Sequence, residues 1–177
     1  VVQQDELESS GVREFLNLGH TFGHALEAAF GYGHLLHGEA VALGMLYATK
    51  LAIQLGQFPA GRYTSLLRLY ELLGLPTALP QLVDAHQLYR LMQQDKKAHH
   101  GQVHFILPVQ DFGQVNRRTD VPPQLLDSGF LSSSLREEPP EAEPLADGMG
   151  GRVVTSLDTV ELPFSSSGSA IMDNTLS

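Results

Sequence analysis

A group of histidines near the start of the chain is the feature with the clearest chemical meaning. His20 and His24 are four residues apart, so on a helix they would share one face one turn apart. His37 follows a glycine-rich turn that could fold it back toward His20. Neutral imidazole is the commonest metal ligand, and Zn²⁺ readily takes two histidines and a carboxylate while keeping one position open for substrate. The spacing indicates a candidate metal site, although a His pair at this spacing also arises by chance.

Two carboxylates lie close to these histidines in the sequence. Glu27 is one turn beyond His24, and Glu39 is two residues after His37. Either could be a ligand, a partner that orients an imidazole, or a charge that stabilises a helix N-terminus. The pattern is not the zinc-protease motif, because Thr21 stands where that motif requires glutamate. The remaining histidines have no ligand spacing and are expected in an exposed loop or at the surface: His34, His86, His99, His100 and His104.

Basic and amide side chains extend the candidate site. On a continuous helix, Arg13 and Asn17 would lie on the same stripe as the His20 and His24 pair. Arginine, asparagine and histidine on one face suit an anionic, hydroxylated ligand. Lys96 and Lys97 follow at the end of a later helix, where cations also complement the helix dipole. Spacing alone favours a solvated helix end for these two lysines.

The elements that must position these side chains are mostly helical. Apolar periodicity predicts helices over residues 13–30, 38–55, 61–73 and 84–95, and the second is apolar nearly all round, which predicts a central, buried position. Alternation over residues 102–107 and 113–117 predicts a hairpin. The fold class expected is therefore mostly α, a helical bundle with a small β-hairpin. No glycine-rich phosphate loop follows a strand.

Charge divides the chain of 177 residues into two parts. Residues 1–125 carry 9 basic and 11 acidic residues, whereas residues 126–177 carry 2 basic and 9 acidic ones among many Ser, Pro and Gly. We expect residues 1–125 to form the helical domain and residues 126–177 to be a largely disordered acidic tail, with a possible strand at 152–164. The formal charge of −9 disfavours nucleic acid as a partner, and the lack of cysteine excludes disulfides. No apolar run predicts a membrane span and no leader is evident, so a cytoplasmic protein is expected.

Two long motifs resemble 3-dehydroquinate synthase. They are LNLGHTFGHALE at residues 16–27 and LHGEAVALGM at residues 36–45. The likeness continues through Gly11-Val12-Arg13, Gly74-Leu75-Pro76, Asp95-Lys96-Lys97 and the FILP sequence at residues 105–108, and covers about residues 1–120. The resemblance implies the C-terminal metal- and substrate-binding domain of such an enzyme, without its N-terminal NAD-binding domain.

The resemblance also implies a reaction and a set of roles. The family converts 3-deoxy-D-arabino-heptulosonate 7-phosphate to 3-dehydroquinate and phosphate in the shikimate pathway, with NAD and a divalent metal, Zn²⁺ or Co²⁺. By motif match, His20 and His37 are expected to ligate the metal and His24 to assist proton transfer near the substrate phosphate. Contacts to substrate are expected from Arg13, from Asn17 and from one or both of Lys96 and Lys97. The full-length family member is expected to be a homodimer.

Departures from the family pattern leave other interpretations open. The family's third metal ligand, a glutamate, lies in the domain that this chain lacks, and one extra residue before Gly11 leaves the role of Glu8 open. We therefore expect no cyclase activity from the chain alone. The alternatives are another sugar-phosphate cyclase, such as a 2-deoxy-scyllo-inosose synthase, or a non-catalytic binding or scaffold protein.

Overall fold

The computed structural model describes residues 12–31, 33–98 and 103–140, and this part of the chain is a helical bundle with one hairpin. A 3₁₀ helix at Val12–Asn17 precedes α1, and a second one at Pro123–Leu126 precedes α5. The helices are α1 (His20–Phe30), α2 (His37–Gln54), α3 (Gly61–Leu73), α4 (Ala85–Ala98) and α5 (Ser128–Ser132). Strands β1 (Phe105–Val109) and β2 (Asp111–Arg118) pair antiparallel. The fold class predicted from the sequence is confirmed.

Helix α2 forms the centre of the bundle, as its apolar run predicts. Thirteen of its 18 residues are buried, and it packs against α1 and β1. The Tyr70 hydroxyl of α3 donates to the carbonyl oxygen of Ala42 over 2.9 Å, which fixes α3 on α2. Helix α2 is therefore enclosed on several sides, and α1, α3 and β1 pack around it.

The contact between α1 and α2 is made through glycine. Gly19 has a φ of +82°, a left-handed conformation that side chains rarely adopt, and α1 starts directly after it. A Cβ atom on Gly19 would lie 2.6 Å from the Met45 backbone nitrogen, and one on Gly44 would lie 2.8 Å from the Gly23 nitrogen. The two backbones therefore approach more closely than any side chain would allow.

This close contact corrects the prediction of one continuous helix over residues 13–30. The chain forms a 3₁₀ helix up to Asn17, turns at Gly19 and only then begins α1. Arg13 and Asn17 are consequently not on one α-helical stripe with the histidines of α1. The reason is long-range, because Gly19 adopts its conformation against α2.

The hairpin and α3 follow the predicted pattern with small shifts at their ends. Phe105 pairs with Arg118 and Leu107 with Asn116, and the register shifts after Pro108 beside Gln110, whose φ is +57°. Helix α3 spans Gly61–Leu73 as predicted and ends at a left-handed Gly74. Helix α4 extends three residues beyond its predicted end, to Ala98.

The packed region continues past residue 125, where composition placed the domain boundary. Phe130, Leu131 and Leu135 are at most 5% exposed and belong to the main core. Side chains of the bundle also bind the backbone of this segment, since the Tyr47 hydroxyl donates to Leu131 and the Tyr63 hydroxyl to Leu135, each over 2.8 Å. Leu126 is buried as well, so this segment buries four apolar side chains. Their burial is enough to pack residues 126–140 on the domain, although most of the surrounding residues are polar.

The rest of the predicted tail, residues 141–177, and its predicted strand lie outside the described residues. Within the described ranges, none of the helices combines the length and apolar character needed to cross a membrane.

Candidate metal and substrate site

Three imidazole rings meet where α1 passes the start of α2. The ring centroids lie 5.6 Å apart for His20 and His24, 5.5 Å for His20 and His37, and 5.9 Å for His24 and His37. His20 and His24 share one face of α1, as their spacing predicts, and His37 is the first residue of α2. The turn between the helices therefore brings His37 back to His20 as expected from the sequence.

Glu27 adds a carboxylate to the histidine cluster. Its Oε2 atom lies 3.1 Å from Nδ1 of His37. Among the described residues, the donor atoms of His24, Glu27 and His37 all lie within 4.8 Å of one another. Glu27 has 20% of its side chain exposed and His37 has 58%, so this pair lies at an open edge of the bundle. The arrangement allows Glu27 either to orient His37 or to ligate a metal itself.

His20 is the more enclosed member of the cluster. Its Nδ1 atom is buried and has no hydrogen-bond partner in the described structure. A buried ring nitrogen without a hydrogen-bond partner is costly unless a ligand such as a metal ion binds it. Imidazole nitrogens with one carboxylate are the donor set that Zn²⁺ accepts. The residues present therefore fit a divalent cation.

The start of α2 is fixed by a charged cap. Glu39 accepts a hydrogen bond from the Leu36 backbone N–H over 3.0 Å, and its charge complements the helix N-terminus. Gly31 and Gly33 have positive φ angles in the turn before it, which lets the chain reverse within a few residues. Glu39 thus stabilises the backbone that carries His37. His34 is exposed in this turn, as predicted.

The other predicted site residues are less fully described. Asn17 is exposed at the end of the first 3₁₀ helix. The side chains of Arg13, Lys96 and Lys97 lie outside the described part of the chain, although their backbones are helical. Helix α4, which carries the two lysines, packs against α1. The substrate-binding roles of these four residues stay predictions.

A cavity of about 320 Å³ lies at the other end of α2 and contains none of these residues. It is lined by Ile53, Gly56, Gln57, Phe58, Pro59, Ala60 and Gln110. At about 1.5 Å per residue, α2 separates it from His37 by roughly 25 Å. The histidine cluster and this cavity are separate features of the domain.

A helical domain that gathers imidazoles and a carboxylate on two adjacent helices is typical of a metal-binding enzyme domain. Comparison with known proteins makes this class specific. Residues 1–98 match the family described as 3-dehydroquinate synthase C-terminal. The chain therefore belongs to the family of 3-dehydroquinate synthase C-terminal domains.

Curated relatives agree with this family. The chain is 44% identical over 148 residues to 3-dehydroquinate synthase of Nitrobacter winogradskyi, an alignment covering 78% of this chain and 38% of that protein. It is 48% identical over 123 residues to 3-dehydroquinate synthase of Acidithiobacillus ferrooxidans, covering 70% and 33%. The chain thus spans about a third of the length of the curated relatives that it matches.

A solved structure shares the fold. The 2-epi-5-epi-valiolone synthase ValA of Streptomyces hygroscopicus subsp. jinggangensis, solved with NAD⁺ and Zn²⁺ bound, superposes with a TM-score of 0.57. The match is 26% identical and covers 71% of this chain and 34% of ValA. A structurally similar cyclase therefore holds the metal and the cofactor that the resemblance implies for this family.

Proposed function

We propose that this chain forms the metal- and substrate-binding part of a 3-dehydroquinate synthase. Such an enzyme is a lyase of the shikimate pathway, in aromatic amino acid biosynthesis, and it converts 3-deoxy-D-arabino-heptulosonate 7-phosphate to 3-dehydroquinate and phosphate. The observation that carries the proposal is the convergence of His20, His24 and His37 in a chain that belongs to this family.

His20 and His37 are proposed to hold the divalent cation, Zn²⁺ or Co²⁺. The unpartnered buried Nδ1 of His20 supports this assignment, as does the orientation of His37 by Glu27. When bound, the cation polarises substrate hydroxyl groups, and NAD, held mainly by the N-terminal domain of the longer relatives, supplies transient oxidation of a substrate carbon.

The remaining residues are proposed to bind the substrate and move protons. Arg13 can bind a carboxylate through two parallel hydrogen bonds, and Asn17 can bind a hydroxyl group. Lys96 or Lys97 neutralises the phosphate as a compact positive charge. His24, next to both metal-binding histidines, is exposed and free to exchange a proton with the phosphate end of the substrate.

The other two functions weighed from the sequence have less support. The relatives called 3-dehydroquinate synthase are 44–48% identical to the chain, whereas the valiolone synthase is 26% identical. An arginine at position 13, a residue type that binds carboxylates, also favours the first reaction. A scaffold protein would not require the buried, unpartnered Nδ1 of half-buried His20. We place the longer enzyme in the cytoplasm as a homodimer acting on a small phosphorylated keto acid.

Metal titration of single-histidine variants tests the ligand assignment. His20→Ala and His37→Ala are expected to lower Zn²⁺ affinity at least about 100-fold in calorimetry, whereas His24→Ala keeps the metal. His86→Ala, an exposed histidine on α4, is the matched control. Loss of binding in His24→Ala and Glu27→Ala, with binding kept in His20→Ala, would instead assign the site to His24, Glu27 and His37.

Phosphate release tests the catalytic part of the proposal. The purified chain, supplied with substrate, NAD⁺ and Zn²⁺, is expected to bind the metal and to release no phosphate. The same residues within a full-length enzyme are expected to be active, and His24→Ala there is expected to reduce kcat about 100-fold or more. Turnover by the 177-residue chain alone would contradict the proposed dependence on a second domain.

A further inference from the structure

The first turn of α1 is fastened to the segment that leads into β1. The Thr21 hydroxyl donates a hydrogen bond to the His104 carbonyl oxygen over 2.7 Å, joining residues 83 positions apart in the sequence. The next residue, Phe22, is 1% exposed and packs on Phe105 with ring centroids 5.4 Å apart. A polar and an apolar contact therefore fix the same turn of α1 on the same strand.

The first turn of α1 has no side-chain cap of its own, so its position depends on contacts of this kind. The N-cap residue of α1 is Gly19, which has no side chain to accept a hydrogen bond from the first helical N–H groups. Thr21 directly follows His20 in the first turn of α1 and lies three residues before His24, so it neighbours His24 on the helix surface. Elsewhere on α1, the glycine contact lets the helix lie directly against α2.

The rotation of α1 about its axis decides where the two imidazoles lie. Side-chain ends are about 5–6 Å from the axis of a helix, so a rotation of about 10° moves them by roughly 1 Å. Metal–ligand distances in proteins tolerate only about 0.2 Å. A contact that prevents such a rotation therefore has a direct effect on metal affinity.

We propose that Thr21 is a positioning residue for the histidine cluster. Through its hydrogen bond to the His104 carbonyl, it fixes the rotation of α1 and holds the His20 imidazole at the distance from His37 that one divalent cation requires. This inference rests on the proposed function, because it assigns Thr21 a part in building the same metal site.

Isosteric substitution in the 177-residue chain tests the proposal. Thr21→Val removes the hydroxyl and keeps the shape of the side chain, and it is expected to lower Zn²⁺ affinity about 10- to 100-fold in calorimetry. Thr21→Ser keeps the hydroxyl and is expected to bind within about threefold of the parent chain. The matched control is Thr49→Val, which removes a 2.8 Å hydrogen bond from buried Thr49 to Met45 within α2 and is expected to leave Zn²⁺ affinity unchanged.

Two further measurements keep the outcome decisive. If Thr21→Val does not fold, Thr21→Ala is compared with Thr21→Ser, because these two variants differ only in the hydroxyl. Equal Zn²⁺ affinity of the two folded variants overturns the proposal. If the parent chain binds no Zn²⁺, the proposed metal function fails on its own. NMR chemical shifts of the imidazoles then test the inference without metal. Changed shifts of His20 and His24 in the variant that lacks the Thr21 hydroxyl, with no change in Thr49→Val, support the inference. Unchanged shifts overturn it.

Discussion

Replacing Gly44 by alanine tests whether close backbone packing holds the histidine cluster together. Gly44 lies on α2, and a Cβ atom there would meet the Gly23 nitrogen at 2.8 Å and the Gly19 carbonyl even more closely. These are backbone atoms of α1 and of the residue before it, so no side-chain rotation can relieve the overlap. The two helices must separate for the alanine to fit.

The size of the effect follows from these contacts. Ordinary van der Waals contact for a Cβ begins at about 3.4 Å, so the helices must separate by roughly 1 Å. Overpacking of this kind costs about 1–3 kcal/mol, against a gain of about 1 kcal/mol from the better helix propensity of alanine. We expect a net loss of about 0–2 kcal/mol in the free energy of unfolding. Because His20 and His24 move with α1 while His37 stays on α2, Zn²⁺ affinity is expected to fall more than 100-fold.

Urea denaturation and Zn²⁺ calorimetry measure the two effects of Gly44→Ala separately. Gly61→Ala is the matched control, because a Cβ at the first residue of α3 meets nothing within 4 Å. The control is expected to keep both stability and Zn²⁺ affinity. If Gly44→Ala matched Gly61→Ala in both measurements, the glycine contact would not determine the geometry of the cluster, and the reasoning would be refuted.

Three other properties can be predicted. Burial raises the pKa of Tyr47 and of Tyr70 to about 12. Their contribution to the free energy of unfolding is therefore complete below about pH 10 and is lost toward pH 12, by about 2–3 kcal/mol for each tyrosine. In denaturation measured across this pH range, Tyr47→Phe should lose less stability than the parent chain. Glu39→Ala removes the cap of α2 and should lower the free energy of unfolding by about 0.5–1 kcal/mol in urea, whereas an unchanged midpoint would contradict the capping role. A chain ending at residue 140 should have the same melting temperature as the parent in circular dichroism, whereas one ending at residue 125 should melt at least about 10 °C lower. Equal melting temperatures of the two truncated chains would show that residues 126–140 add no stability.

Local pattern predicted the elements whose boundaries are set locally. The apolar run of α2 and the glycine and proline after Leu73 indicated both helices and their approximate ends. The turn at Gly19 could not be predicted in the same way, because apolar residues on either side keep helical spacing through it. Its left-handed conformation depends on α2, 20 or more residues away in sequence.

The site shows the same division between local and long-range information. The spacing of His20 and His24 and the turn before His37 were enough to predict that these rings lie together. Whether Glu27 faces His37 depended on rotamers and on the angle between two helices, so the sequence left its role open. The hydrogen bond from Thr21 had no signal in the sequence, because its acceptor is a backbone carbonyl far along the chain.

Side-chain donors on the bundle bind backbone carbonyls of the segment at residues 126–140. Tyr47 and Tyr63 donate to carbonyl oxygens of residues 131 and 135, and Lys50 donates to the Ser134 carbonyl over 2.8 Å as well as to a serine hydroxyl. Every residue type has such a carbonyl. These hydrogen bonds therefore depend on the path of the segment's backbone and not on the identity of its side chains. In related chains, the polar positions of this segment can diverge in sequence while its buried apolar positions and the three donors on α2 and α3 mark where it packs.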